Sequence, residues 1–181
     1  MKKTILFLSF VALTGSVFAQ KKTTTSATVA FDASTAIDAL PKAENKTVVA
    51  AIDTKTGTVQ FEATVKNFAF SNPTIQQHFN EAKWMNSDEF PAFTFKGTVA
   101  DLSKVNFTKN GTYPVSVNGE LTIKGISQKI TVPATVSVGA GVISASSEFS
   151  FKLADYGITG APLNAGKVAK EPKVTVSAEF K

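Results

Sequence analysis

The sequence predicts an all-β fold: eight antiparallel strands, closed as a barrel or stacked as a sandwich, with one short helix. Three observations carry this. Apolar and polar residues alternate with period two in eight separate runs, the pattern of half-buried antiparallel strands with one wet face. Turn-forming residues fill short gaps between the runs. A single segment, residues 71–83, breaks the alternation and carries helix-start chemistry.

The chain opens with a segment that belongs to targeting rather than to the fold. Lys2 and Lys3 precede an almost wholly apolar run from Ile5 to Leu13. Val17 and Ala19 then place small residues at the −3 and −1 positions of a cleavage site, and the run is too short to span a bilayer. Residues 1–19 therefore read as a secretory signal peptide and residues 20–181 as one domain, expected in the periplasm or secreted. No Cys follows the cut, which argues against a lipid anchor. A domain of roughly 160 residues buries about 70% of its unfolded surface and needs no disulfide staples.

The alternating runs follow in order. Val29-Phe31 and Val48-Ala50-Ile52 are short; Val59-Phe61-Ala63-Val65 and Phe93-Phe95-Gly97-Val99 are aromatic-rich. Tyr113, Val115, Val117, Gly119, Leu121 and Ile123 form one long inward set, and Ile130, Val132, Ala134, Val136 and Val138 form the next. Residues 143–153 and the set Val174, Val176, Ala178 and Phe180 complete the eight. Asp53-Thr54-Lys55-Thr56-Gly57, Lys124-Gly125-Ile126-Ser127 and Gly139-Ala140-Gly141 read as hairpin turns. Near Asn67 the phase slips, since Phe68 and Phe70 fall where polar residues are due, and a β-bulge is expected there. Pro133 has no donor, so it belongs at an edge, a bulge or a strand end. In the helical segment Asn72 suits the N-cap, Pro73 the first helical position, and Ile75 and Phe79 share one face. Residues 154–169, with Gly157, Gly160, Pro162 and Gly166, read as a long loop.

Composition narrows the chemistry. The 181 residues are 43% hydrophobic and 18% charged, with no Cys and one His; all 19 basic residues are lysines. Disulfides, thiolate zinc sites and Cys nucleophiles are excluded, a multi-histidine metal site is excluded, and so is bidentate Arg recognition of phosphate. The formal net charge of +5 includes two lysines of the leader, and scattered lysines such as Lys66, Lys96 and Lys124 read as a solvated face, so no nucleic-acid partner is expected. No Gly-x-Ser-x-Gly elbow, phosphate loop or EF-hand spacing is present, and no cofactor is expected. Asp88, Glu89 and Asp155 read as solvated or capping acids. Asn45, Asn106 and Asn110 head N-glycosylation tripeptides, which matter only in a eukaryotic secretory route.

The predicted inner face mixes Phe61, Phe93, Phe95, Phe149 and Phe151 with Ala50, Ala63, Gly97, Gly119, Ala134, Ala145, Ser147 and Ala178. Two readings fit. Large and small residues could interdigitate to fill a solid core, or the small residues could leave a lumen lined by phenyl rings.

Three ordered segments carry a family resemblance. His78-Phe79-Asn80-Glu81-Ala82-Lys83-Trp84-Met85-Asn86-Ser87-Asp88-Glu89-Phe90-Pro91 leads into Phe93-Thr94-Phe95-Lys96-Gly97. Gly119-Glu120-Leu121-Thr122-Ile123-Lys124-Gly125-Ile126 forms a hairpin block, and Asp155-Tyr156-Gly157-Ile158 follows Phe149 and Phe151. Together they resemble the signature of the YceI-like family. The resemblance implies an eight-stranded antiparallel lipocalin-like barrel with an added helix, usually exported to the periplasm, several members of which enclose a long apolar lipid. Two departures stand out: Phe31-Asp32-Ala33-Ser34 replaces the family's N-terminal His-Ser motif, and Asn80 stands where Arg is common. The apolar lining therefore carries over, while head-group contacts do not.

The expectation is an exported binding protein, not an enzyme, holding a polyisoprenoid, a quinone-like lipid or a fatty-acid derivative as carrier, buffer or stress-related binder. Phe61, Val65, Phe93, Phe95, Val117, Leu121, Phe149, Phe151 and Tyr156 would contact the lipid within the barrel, with His78, Phe79, Trp84 and Met85 near the mouth. The protein would not be embedded in a membrane, and a homodimer is compatible with this. Two alternatives compete: a solid-core module that docks a membrane-bound partner, and a hydrolase or isomerase centred on His78.

Overall fold

The computed structural model describes residues 20–181; the signal-peptide expectation falls on residues 1–19, outside the described residues. Among the described residues nine strands form: β1 (Lys21–Asp32), β2 (Lys42–Asp53), β3 (Thr58–Thr64), β4 (Ala69–Phe70), β5 (Ala92–Val99), β6 (Gly111–Ile123), β7 (Ile126–Gly139), β8 (Val142–Ser150) and β9 (Lys173–Phe180). The order is β1-β9-β8-β7-β6-β5-β3-β2, every pairing is antiparallel, and β1 pairs back onto β2. Eight strands thus close a barrel, which disposes of the sandwich. The two residues of β4 are an addition beside the start of β2, where Phe70 pairs with Ala43.

The hairpins follow from turn chemistry. Ile123 pairs with Ile126, leaving Lys124 and Gly125 as a two-residue loop with φ of 50° and 72°, the positive pair that a type I′ turn requires. At the β2–β3 turn Asp53 Oδ1 accepts from the backbone N–H of Lys55 and Thr56, and Gly57 supplies the left-handed residue.

Two expectations change. The phase slip at Asn67 is not a bulge: a 3-10 turn over Val65–Asn67 ends β3, and its rotation sends Phe68 inward with 2% exposure. The real register shifts lie in β1, between Thr24 and Val29. The loop over residues 154–169 also holds a 3-10 turn (Leu153–Tyr156) and a four-residue helix, α2 (Ala161–Asn164).

Pro133 lies inside β7, yet at an internal edge. The β7–β8 ladder runs only from Gly139–Val142 to Thr135–Ser146, whereas β8 stays paired with β9 through Ser150. The Pro133 carbonyl, on the side facing β8, accepts the Ser147 hydroxyl at 2.6 Å, and the same residue has no N–H to extend the ladder on that side. Beyond this point the turn Leu153–Tyr156 fills the seam, and Gln128 Nε2 donates to the Asp155 carbonyl at 2.9 Å.

One barrel end is solid. The β5–β6 connection carries Val105 and Phe107 against Val138, Ile143 and Phe180, and Phe180 has no exposure. The opposite end collects the β1–β2 loop, helix α1 (Pro73–Asn80) and residues 151–172.

Candidate functional site: a blind apolar lumen

Between the solid floor and α1 lies a cavity of about 390 Å³, within the range of roughly 300–1,000 Å³ common for small-molecule sites. Strand alternation builds its wall. Phe61 of β3, Phe93 and Phe95 of β5, Val117 and Leu121 of β6 and Phe149 of β8 all occupy inward positions, and all line the space, as does Phe151 just past β8. The four phenyls Phe61, Phe93, Phe95 and Phe149 are only half-buried although they point inward, while Phe180 on the floor is fully enclosed. An inward aromatic that still meets solvent is the mark of a lumen. The solid-core reading therefore fails.

The mouth is an aromatic cluster. Asn72 caps α1 by accepting from the N–H of Thr74 and Ile75, and this fixes the helix so that Phe79 meets the barrel. The Phe79 ring stacks on Phe31 at 5.6 Å and lies 4.9 Å from Phe70, 6.1 Å from Phe68 and 6.4 Å from Phe93. The helix ends at Asn80, earlier than residue 83, because Glu81 turns extended. His78, Trp84 and Met85 border the opening with Phe79, and His78 is exposed. Of the thirteen residues expected at the site, Val65 and Tyr156 do not reach the cavity. Val65 starts the 3-10 turn and is fully buried beside Met85 and Leu121; Tyr156 has 1% exposure and stands behind the wall, edge-on to Phe151 at 5.1 Å.

Polar groups are few. Asp38, His78 and Lys167 lie at the mouth; Thr94, Ser146 and Ser147 belong to the wall, and the Ser147 hydroxyl is committed to Pro133. The β1–β2 loop is tied at its base, where Asp32 accepts from the Ser34 N–H at 2.9 Å and pairs with Lys42 at 2.9 Å. Burial alone would raise the Asp32 pKa, but those partners offset it and hold the carboxyl below its ordinary value. The loop also reaches residues 166–169, through the Ala169 N–H to the Ala33 carbonyl at 2.8 Å. Burial, with a smaller push from Asp155, raises the Tyr156 pKa to about 12, and its hydroxyl has no hydrogen-bond partner among the described residues. Among the described residues no group of three or more His, Asp or Glu side chains is placed to hold a metal ion.

Sequence reasoning left Phe31, Phe68 and Phe70 out of the site, although all three line it. The broken alternation at Phe68 and Phe70 was their signal: two large apolar residues out of phase must find a second apolar surface. Asn45, a glycosylation-pattern residue by sequence, has no exposure; its amide donates to the Thr64 carbonyl and its oxygen accepts from Thr47, so it cannot carry a glycan.

Comparison with known proteins agrees with this architecture. A polyisoprenoid binding domain from Saccharophagus degradans implicated in plant cell wall breakdown superposes with a TM-score of 0.75 at 15% identity, covering 90% of this chain and 98% of that one. BcnA of Burkholderia cenocepacia gives 0.71 at 20% identity, covering 86% and 96%. The Campylobacter jejuni YCEI protein gives 0.53 at 18% identity, covering 74% and 80%. Curated protein sequences give no match. The model of the YceI-like domain matches residues 9–180, nearly the whole sequence. The chain belongs to the YceI-like family.

Proposed function

We propose that the protein is an exported lipid-binding protein that encloses a long apolar chain, polyisoprenoid or similar, inside the barrel and serves as its carrier or buffer. One observation carries the reading: inward phenyl rings remain only partly buried around a cavity of about 390 Å³ that is closed at one end. The energetics suffice without any catalytic group. Burying aliphatic carbon yields about 0.8 kcal/mol per CH₂, hence roughly 4 kcal/mol gross per five-carbon isoprene unit. A few units then exceed the cost of association and reach micromolar affinity. The kinship with a structure described as a polyisoprenoid binding domain supports the same class of ligand. The signal-peptide pattern in residues 1–19 supports export.

Native mass spectrometry of protein isolated from its own host, followed by lipid extraction, tests this. An apolar adduct released by organic solvent is expected. A protein that arrives empty and takes up no apolar fluorophore overturns the reading.

A further inference from the structure

Gly97 of β5 and Gly119 of β6 are register partners on the inner face of the barrel, and the ring of Phe95 lies down over both. A Cβ built on Gly97 would stand 2.8 Å from Phe95 Cε1 and Cζ and 2.9 Å from Val117 Cγ1. A Cβ on Gly119 would stand 2.5 Å from Phe95 Cζ and 2.6 Å from the Lys96 carbonyl oxygen. The two missing side chains therefore form a bay in the wall, and the phenyl is parked in it. Val59, the register partner of Gly97 on the other side, sits at the same level; Val99 and Val117 line the cavity one step nearer the floor. With strands rising about 3.4 Å per residue and tilted about 40°, the Val99–Val117 level lies about 10 Å of barrel axis below Phe95, four residues away on β5.

We infer that the Gly97–Gly119 bay, by holding the Phe95 ring against the wall, sets how long a linear chain the lumen accepts. With the ring parked, the bore runs on to the Val99–Val117 level. With the ring lifted, the bore ends at Phe95. Phe95 is the specificity-determining side chain, and Gly97 and Gly119 act through it. This inference rests on the lipid-binding reading and adds to it a selection among linear apolar chains by length.

The two glycines differ in a way that chooses the variant. At Gly97 the three nearest atoms all belong to side chains, two on the Phe95 ring and one the Val117 Cγ1, so the methyl of Gly97→Ala presses on the ring and not on the ladder's backbone. At Gly119 the methyl meets backbone, so the sheet itself would have to shift.

The test is displacement of an apolar fluorophore from the purified full-length domain by linear prenols, from farnesol through geranylgeraniol to solanesol. For the wild type, affinity should rise along the series. Gly97→Ala should bind farnesol as the wild type does and lose about tenfold or more for the longest member, since two lost methylene contacts already amount to that. Phe95→Leu in the Gly97→Ala background, where the smaller side chain no longer blocks the bore, should restore long-chain binding. Phe95→Trp at intact Gly97 puts a larger ring over the same bay and should truncate the series in the same way, which keeps the test open if Gly97→Ala fails to fold. Wild type and both single variants with parallel affinities across the series would overturn the inference alone. A wild type that binds neither fluorophore nor any prenol would overturn the lipid-binding reading, and this inference with it.

Discussion

Ala145 of β8 and Ala178 of β9 are direct register partners on the inner face of the barrel, yet they meet different surroundings. Ala145 is half-buried and lines the cavity; Ala178 is 7% exposed, packs into the floor-side core and does not reach the cavity. Replacing each by Leu therefore measures free volume at two points about one strand spacing apart. The change adds three carbons, worth up to about 2.4 kcal/mol if they are fully buried. Against an open wall about half of that is realised, and ordering the new side chain takes back about 0.5–1 kcal/mol. Ala145→Leu should thus lie between neutral and about 1 kcal/mol more stable. At Ala178 the same carbons overpack a filled region and should cost about 1–3 kcal/mol. The gap of about 2–3 kcal/mol corresponds to roughly 5–10 °C between the two melting temperatures for a domain of this size. Urea titrations with an unchanged m-value would confirm that the native state, and not the unfolded one, is responsible. Equal losses at both positions would refute the reasoning, because they would mean that no space lies beside Ala145.

Two further outcomes follow from buried polar groups. Tyr156 keeps its proton to about pH 12 in the folded state against an ordinary value of 10.0, so the stability this gap represents is fully present below pH 10 and is lost as pH rises through the folded value. The loss, about 2–3 kcal/mol at about 1.4 kcal/mol per pH unit of gap, should vanish in Tyr156→Phe, which at neutral pH should equal or slightly exceed the wild type because the hydroxyl has no partner among the described residues; urea midpoints at neutral pH and above pH 10 decide, and identical alkaline losses would count against it. Asn45→Ala should cost about 2–3 kcal/mol by urea denaturation, since it strips partners from the Thr64 carbonyl and the Thr47 N–H beneath the β3 end; a loss under about 0.5 kcal/mol would show that water replaces the amide there.

Much of this architecture is legible in the alternation, and the exceptions have physical causes. The strands from β5 to β9 could be read because one face is apolar and the other wet, so period two survives in the residues themselves. The first half of β1 could not: Lys-Lys-Thr-Thr-Thr-Ser carries no apolar set, and the ladder to residues 50–53 of β2 is what makes it a strand. The bulge expected at Asn67 failed because a phase slip looks the same whether one residue is inserted in a strand or a 3-10 turn rotates the chain. The wall of the site was readable for the same reason as the strands. Its aromatic mouth was legible only at Phe79; Phe31, Phe68 and Phe70 were missed, because they come from separate elements whose meeting with Phe79 depends on how α1 lies across the barrel. Whether small residues leave space or merely fit large ones is a question of three-dimensional volume, and no spacing in one dimension answers it.

The solid floor has a consequence for traffic. A tube with one door imposes an order on whatever uses it: a linear molecule goes in leading end first and can come out only trailing end first. Its deep end, against Val99 and Val117, is the last part to be surrendered, and its trailing end, beside α1 and the β1–β2 loop, is all that a recipient can grasp at the start. On the carrier role proposed above, a recipient of such cargo works at the α1 rim and draws the chain out against the grip of the whole wall.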